Sequence, residues 1–123
     1  MKRQGFTLVE LAIIIVIIGI LAAVAVPAFV DLQTKAKENA AKAGLGTIRS
    51  AVAMRYANNV ANGAASFPAT IEGSYFADGK VPENPLVGSS NVGTACGTNI
   101  AWKYESSNGK VTACDANGQE LTW

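Results

Sequence analysis

Histidine is absent from this 123-residue chain, and only two cysteines are present. Without imidazole, the chain lacks the usual acid–base group for neutral pH and the commonest metal ligand. The net charge is only +1, which is too small for a surface that binds phosphates by charge. No serine lies in a nucleophile-elbow motif, and no motif pairs the acids. We therefore predict that the chain is not an enzyme, needs no cofactor and does not bind nucleic acid directly.

Charged residues are also absent from residues 11–30, a run composed almost wholly of apolar residues. About twenty helical residues span the 30 Å hydrocarbon core of a bilayer. Lys2 and Arg3 precede the run and Asp31 follows it, so the positive-inside rule places the N-terminus in the cytoplasm. The segment predicts a single-pass membrane helix, although an ordinary secretory signal cleaved near Val26 stays an alternative.

Glu10 places a carboxylate at the start of this apolar run. A charge at the centre of a spanning helix costs roughly 2.5–3.5 kcal/mol, so an acid inside a membrane segment is by default a functional residue. The alternative is that Glu10 lies at the lipid headgroups, where its charge costs little.

A short basic leader ends in Gly5 and is followed by Phe6-Thr7-Leu8-Val9-Glu10. This pattern resembles the processing site of type IV pilins and of type II secretion pseudopilins, and the resemblance extends through residues 18–29 and more loosely to Tyr56. In that family a prepilin peptidase would cut between Gly5 and Phe6 and methylate the new amine of Phe6. The resemblance therefore implies residues 1–5 as a prepilin leader.

The cleavage also suggests a role for Glu10. It would turn the amide nitrogen of Phe6 into an α-amine with a pKa of about 7.7–8.0. In a continuous helix, residues four apart lie on one face, so the Glu10 carboxylate could neutralise this amine or that of a neighbouring subunit. We predict that Glu10 is an assembly residue.

The resemblance implies a structural subunit of a type IV pilus that polymerises through its N-terminal helix for adhesion, motility or DNA uptake. Its partners would be further copies of itself in a helical homopolymer, the prepilin peptidase, an inner-membrane assembly platform and, before assembly, the lipid bilayer. It would move from the inner membrane to an extracellular pilus. A periplasmic pseudopilin of type II secretion and a single-span anchor with a small binding head remain alternatives.

The remaining sequence predicts an α+β fold with three parts after the leader. Residues 6–30 form the membrane and filament-core helix, with a kink expected between Gly19 and Pro27 because proline removes a backbone donor. Residues 31–62 form an amphipathic helix with one apolar face, made of Ala41, Leu45, Ile48, Val52 and Tyr56.

Residues 63–123, the head, are rich in Gly, Ser, Asn and Pro and predict loops with a small antiparallel sheet. Alternating residues from Ile100 to Glu105 predict a strand, and the Asn-Gly pairs at 108–109 and 117–118 predict hairpin turns of a three-stranded meander. A further short edge strand is expected at Ser74–Phe76.

Cys96 and Cys114 do not match a zinc-site spacing, and an exported head would favour a disulfide between them. The resembling pilins often carry a disulfide in this region. Asp115, Asn117 and Glu120 are a weak candidate for a calcium site, because they place oxygen ligands at close intervals around a glycine. An ordinary turn is the alternative interpretation of the same residues.

Overall fold

The computed structural model describes residues 2–123, so Met1, the first residue of the predicted leader, lies outside the described residues. The elements in chain order are the helix α1 (Leu8–Ala61), a 3-10 turn (Gly73–Tyr75), and the strands β1 (Val92–Gly93), β2 (Trp102–Glu105), β3 (Lys110–Cys114) and β4 (Glu120–Leu121). The α+β prediction is confirmed. The chain divides into two compact units, one ending at Lys35 and the other running from Ala36 to Trp123.

The C-terminus of α1 is closed by a glycine at the position that requires a positive φ. Gly63 has φ +87°, a conformation that costs other L-residues more than glycine. Its N–H donates to Val60 O at 3.0 Å, and Ala64 N–H donates to Asn59 O at 2.9 Å. These two bonds form a Schellman motif, which satisfies carbonyl groups that the helix end would otherwise leave without partners.

In the second unit, the predicted apolar face of α1 packs against the sheet. Leu45, Ile48 and Val52 are at most 2% exposed and belong to the same core cluster as Trp102 and Val111. At the end of this face the ring of Tyr56 stacks on Phe67, with ring centroids 4.4 Å apart. The periodicity of the sequence therefore identified the packed face of the helix correctly.

The sheet has the order β1-β2-β3-β4. β2, β3 and β4 form the predicted antiparallel meander, with Gly109 and Gly118 at positive φ in its two turns. The sheet is nevertheless mixed, because β1 pairs in parallel with β2 through Val92↔Trp102 and Gly93↔Lys103. The two residues of β1 lie in a Gly- and Ser-rich stretch, and two residues are too few to show an alternating pattern. This strand therefore could not be predicted from the sequence.

The predicted edge strand at Ser74–Phe76 is wrong. Gly73–Tyr75 form a 3-10 turn instead, since Tyr75 N–H donates to Glu72 O and Phe76 N–H donates to Gly73 O at 3.1 and 3.0 Å. Hydrogen bonds within the turn therefore use backbone N–H groups that an edge strand would pair with a neighbouring strand. The strand predicted from Ile100 also begins later, at Trp102.

Polar side chains in the core of the second unit find backbone partners. The indole Nε1 of Trp102 donates to Pro82 O at 2.8 Å, and the hydroxyl of Tyr104 donates to Pro68 O at 2.6 Å. Asn84 is fully buried and donates from Nδ2 to Ala101 O at 3.0 Å and to Cys114 O at 2.9 Å. These bonds fix the long loop before β1 to the sheet.

Candidate assembly segment

Gly5 and Phe6, the residues of the predicted cleavage, lie before the first turn of α1. The side chain of Phe6 is 84% exposed. A β-carbon built on Gly5 would have no neighbouring atom within 4 Å, so packing inside the described chain does not require glycine there. The peptide bond between the two residues is therefore open to a protein that approaches from outside.

Thr7 and Glu10 form a capping box at the start of α1. The Thr7 N–H and hydroxyl both donate to Glu10 Oε2, at 2.8 and 2.9 Å, and the Glu10 N–H donates to Thr7 Oγ1 at 3.2 Å. Thr7 O accepts the first helical bond from Leu11 N–H at 3.2 Å, as expected of an N-cap residue. Reasoning about lipid and charge missed this arrangement, although a threonine followed three residues later by glutamate is its sequence signal.

The capping box changes the geometry expected around Phe6. Because α1 begins at Leu8, Phe6 is outside the helix, and the helical spacing between Phe6 and Glu10 is absent in the uncleaved chain. The Glu10 carboxylate instead satisfies the N–H of Thr7. The assembly role of Glu10 stays a prediction, and it now requires the carboxylate to exchange this local partner for an amine.

The apolar run after Glu10 has no cover within the first unit. The large apolar side chains between residues 11 and 30 are 42–73% exposed. Among the residues that the structure describes, α1 is the one helix long and apolar enough to cross a membrane. Exposed apolar surface of this extent marks a site for lipid or for protein.

Gly19 and Pro27 both lie inside α1, which is helical from Leu8 to Ala61 without interruption. A β-carbon on Gly19 would meet no atom within 4 Å, so no contact within the described chain explains a glycine at this position. Pro27 removes one backbone donor from the helix. The kink between these residues remains a prediction.

Cys96 and Cys114 are joined by a disulfide, with their Cα atoms 5.6 Å apart. Cys114 is the last residue of β3 and is fully buried, whereas Cys96 lies in the loop between β1 and β2. The bond therefore ties the connection that precedes β2 to the centre of the sheet.

Two of the three residues of the weak calcium candidate, Asp115 and Glu120, use their carboxylates for separate protein partners. Asp115 Oδ1 accepts bonds from Asn117 N–H and Gln119 N–H at 2.9 and 2.7 Å, which closes the turn between β3 and β4. Glu120 Oε2 lies 2.9 Å from Lys103 Nζ. In residues 2–123 no group of three or more acids, cysteines or histidines could hold a metal ion. The arrangement is that of a turn beside an ion pair.

Lys103 forms the centre of a charged cluster on the solvent face of the sheet. Its Nζ lies 2.9 Å from Glu120 and 3.1 Å from Glu105. The hydrogen bond to Glu120, and then that to Glu105, raise the pKa of Lys103. A hydrogen bond from Asn108 and then one from Lys103 lower the pKa of Glu105, and the bond from Lys103 lowers the pKa of Glu120.

The strongest similarity to known proteins lies in the N-terminal half of the chain. Residues 1–26 match the family model of the prokaryotic N-terminal methylation motif. A type IV narrow pilus major component, PilA5 of Thermus thermophilus, is 56% identical over 54 residues, which are 44% of this chain and 47% of that protein. No solved structure matches the chain.

Two longer matches extend the similarity into the head. The type IV major pilin protein PilE1 of Neisseria gonorrhoeae is 42% identical over 92 residues, covering 69% of this chain and 51% of the pilin. A fimbrial protein of Neisseria meningitidis is 35% identical over 119 residues, covering 94% of this chain and 56% of that protein. The chain thus spans about half the length of these curated relatives.

Proposed function

This chain belongs to the type IV pilin family, and we propose that it is a structural subunit of a type IV pilus. The observation that carries the proposal is the methylation segment joined directly to an apolar helix that its own unit leaves uncovered. Such a surface is stable in lipid before assembly and can be buried among like helices afterwards. The resulting filament would serve adhesion, motility or DNA uptake.

Processing of the subunit is the first step of the proposal. The prepilin peptidase cleaves after Gly5 and methylates Phe6, and the exposed, non-helical setting of both residues supports this. Removal of Lys2 and Arg3 with the leader takes away the charges that hold the N-terminus in the cytoplasm. The apolar run then anchors the subunit in the inner membrane until the assembly platform transfers it to the filament.

Docking of the subunit is the second step. Cleavage leaves a positive amine four residues before Glu10 in a segment that enters an apolar filament core. An unpaired carboxylate is costly in such surroundings, so its pairing with an amine of a neighbouring copy would favour one axial register. Thr7 holds the Glu10 carboxylate in place until that amine arrives.

Within the family, a pilus and a secretion pseudopilus are both compatible with this segment. The matched relatives are described as pilus or fimbrial proteins, which favours the pilus. A periplasmic pseudopilin would carry the same N-terminal chemistry, so the location of the processed chain distinguishes the two. A plain membrane anchor would keep its leader.

Mass spectrometry of the N-terminus in sheared extracellular filaments from the native cells tests the proposal. A chain that begins at methylated Phe6 in this fraction is the expected result. The same processed chain confined to the cell envelope would instead identify a pseudopilin. Recovery of unprocessed chain alone, in the membrane, would refute both and favour the anchor.

A further inference from the structure

The charges of the second unit are divided unequally between its helix and its head. The part of α1 from Ala36 to Ala61 carries four basic residues and one acid, whereas residues 63–123 carry three basic residues and six acids. The unit is therefore basic along its helix and acidic in its head. Such a division allows one copy to attract another when the helix of one faces the head of the next.

Most charged side chains of the helical part already have a partner inside the chain. Lys42 lies over the ring of Trp123, with 5.1 Å from Nζ to the ring centroid. Arg49 donates to Val111 O and Trp123 O, and Arg55 lies over the ring of Tyr75. Lys37 is exposed and has no hydrogen bond or ion pair within the described residues, so it is the basic group of this part that is available to a second molecule.

The head contains an open groove of about 1030 Å³. We call it the acidic groove, because three of the four charged residues in its walls are acids: Asp78, Glu83 and Glu105, against Lys80. Glu83 is exposed and has no hydrogen bond or ion pair within the described residues. Glu105 already binds Lys103, and Asp78 accepts a bond from the N–H of Lys80.

We propose that the acidic groove of one copy receives Lys37 of a second copy, and that this contact orders neighbouring heads. The inference rests on the proposed function, because it assumes that copies of the chain lie side by side. Opposite charges favour the contact, and the openness of the groove lets a lysine enter without displacing the core. Its strength falls with salt, since both groups are exposed and are screened by ions.

Charge reversal tests the contact in the full chain in its native cells. Glu83→Lys and Lys37→Glu should each lower the yield of sheared filaments about two- to five-fold, in the range of one exposed ion pair. The double variant, which restores the opposite charges in reversed order, should recover the yield. Thr122→Lys, which adds a positive charge to an exposed position outside the groove, should leave the yield unchanged. Equal yields from all variants, or additive losses in the double variant, would overturn the inference.

Crosslinking gives a test that does not depend on filament yield. One copy carries Glu83→Cys and a second, longer tagged copy carries Lys37→Cys, while the native cysteines stay in their disulfide. A short bismaleimide should join the two copies in cells, and Thr122→Cys in place of Glu83→Cys should reduce the product several-fold. Absence of the 83–37 product would refute the contact even where filaments form. If the 83–37 product forms in cells that make no filaments, the proposed pilus is refuted but the contact is supported.

Discussion

Gly44 lies against the indole ring of Trp102. A β-carbon built at position 44 would be 3.3 Å from both Cη2 and Cζ2 of the ring, closer than most real contacts of a β-carbon. Trp102 is fully buried and its Nε1 is held by Pro82 O, so the ring has little room to move away. The glycine thus lets α1 approach the sheet at its bulkiest side chain.

We predict opposite effects for alanine at the two glycines of this helical part. Gly44→Ala should lower the melting temperature of the head, because the new methyl group pushes against Trp102. Gly46→Ala should raise its stability by up to about 1 kcal/mol, since alanine favours a helix and position 46 has no neighbour within 4 Å. Near-UV circular dichroism of the full chain in detergent micelles measures both. Destabilisation of equal size by the two changes would contradict the role of Trp102.

This pair shows what could be predicted from the sequence. The spacing of Leu45, Ile48 and Val52 identified the buried face because helical periodicity is local. Two glycines in the same helix look alike in sequence, and only the position of Trp102, far along the chain, separates their roles. The capping box of Thr7 and Glu10 also depends only on residues close in sequence, so its motif is sufficient to predict it.

Asn84 supports the head through its side-chain amide. Asn84→Ala should remove the amide donor from the carbonyls of Ala101 and Cys114. Ala101 O keeps its bond from Cys114 N–H at 3.0 Å, so the main loss is the bond to Cys114 O, at a cost of about 1–3 kcal/mol. The matched control is Asn91→Ala, at an exposed asparagine whose side chain makes no hydrogen bond within the described residues. Thermal unfolding of the full chain in micelles should show a clear loss for position 84 and almost none for position 91. Similar melting curves would show that water replaces the amide.

No sequence pattern predicts the structural role of Asn84 or the presence of β1, and the physical reason is the same for both. The amide of Asn84 binds carbonyls of two other segments, so its importance depends on tertiary folding. β1 has two residues and pairs with a strand that comes later in the chain, so neither length nor periodicity reveals it. The 3-10 turn at Gly73–Tyr75 shows the reverse case, where local bonds overcame the strand preference of Tyr75 and Phe76.

Loss of the disulfide should destabilise the head by about 3 kcal/mol, because the bond closes a loop in the unfolded chain. The paired change Cys96→Ala and Cys114→Ala should lower the unfolding midpoint in denaturant, and reduction of the wild type should do the same. A thiol titration of the unreduced, unfolded protein should find no free thiol. Two titratable thiols would show that the bond is not formed in cells.

The cluster around Lys103 predicts the response of the head to pH. The pKa values of Glu105 and Glu120 are lowered below 4.5. Their contribution to the stability of the folded head is therefore present above that pH and is lost as the pH falls through the lowered values. The pKa of Lys103 is raised, so its contribution persists below pH 10.5 and is lost on further alkalinisation. Burial, and then nearby Tyr75, raise the pKa of Tyr104, which adds to the alkaline loss.

Melting temperatures of the full chain in micelles, measured from pH 2 to pH 12, test this response. Lys103→Gln should make the melting temperature fall less steeply at acid pH, because Glu120 then loses the largest and Glu105 the second of the hydrogen bonds that lower their pKa values. Lys80→Gln removes a lysine that has no ion pair within the described residues, and it should leave that fall unchanged. A fall at acid pH that is identical in Lys103→Gln and the wild type would contradict the prediction.

Substitutions at Glu10 can separate its charge from its capping role. Glu10→Gln keeps an oxygen that can accept from Thr7 N–H but removes the charge, whereas Glu10→Ala removes both. We expect both variants to insert into the membrane and both to lose most sheared filaments, because the proposed docking step requires the carboxylate. Thr7→Ser keeps the hydroxyl and should assemble normally. Normal assembly of Glu10→Gln would assign the role of this residue to the helix cap alone.

The sheet ends on both sides in strands of two residues, β1 and β4. An edge this short offers a passing chain almost no backbone to pair with, and short edges are a common protection against amyloid-like growth. In the proposed filament, copies of the chain would lie close together, and edges this short would disfavour cross-β stacking between their heads. Growth of that filament would then depend on the apolar helix and not on the sheet.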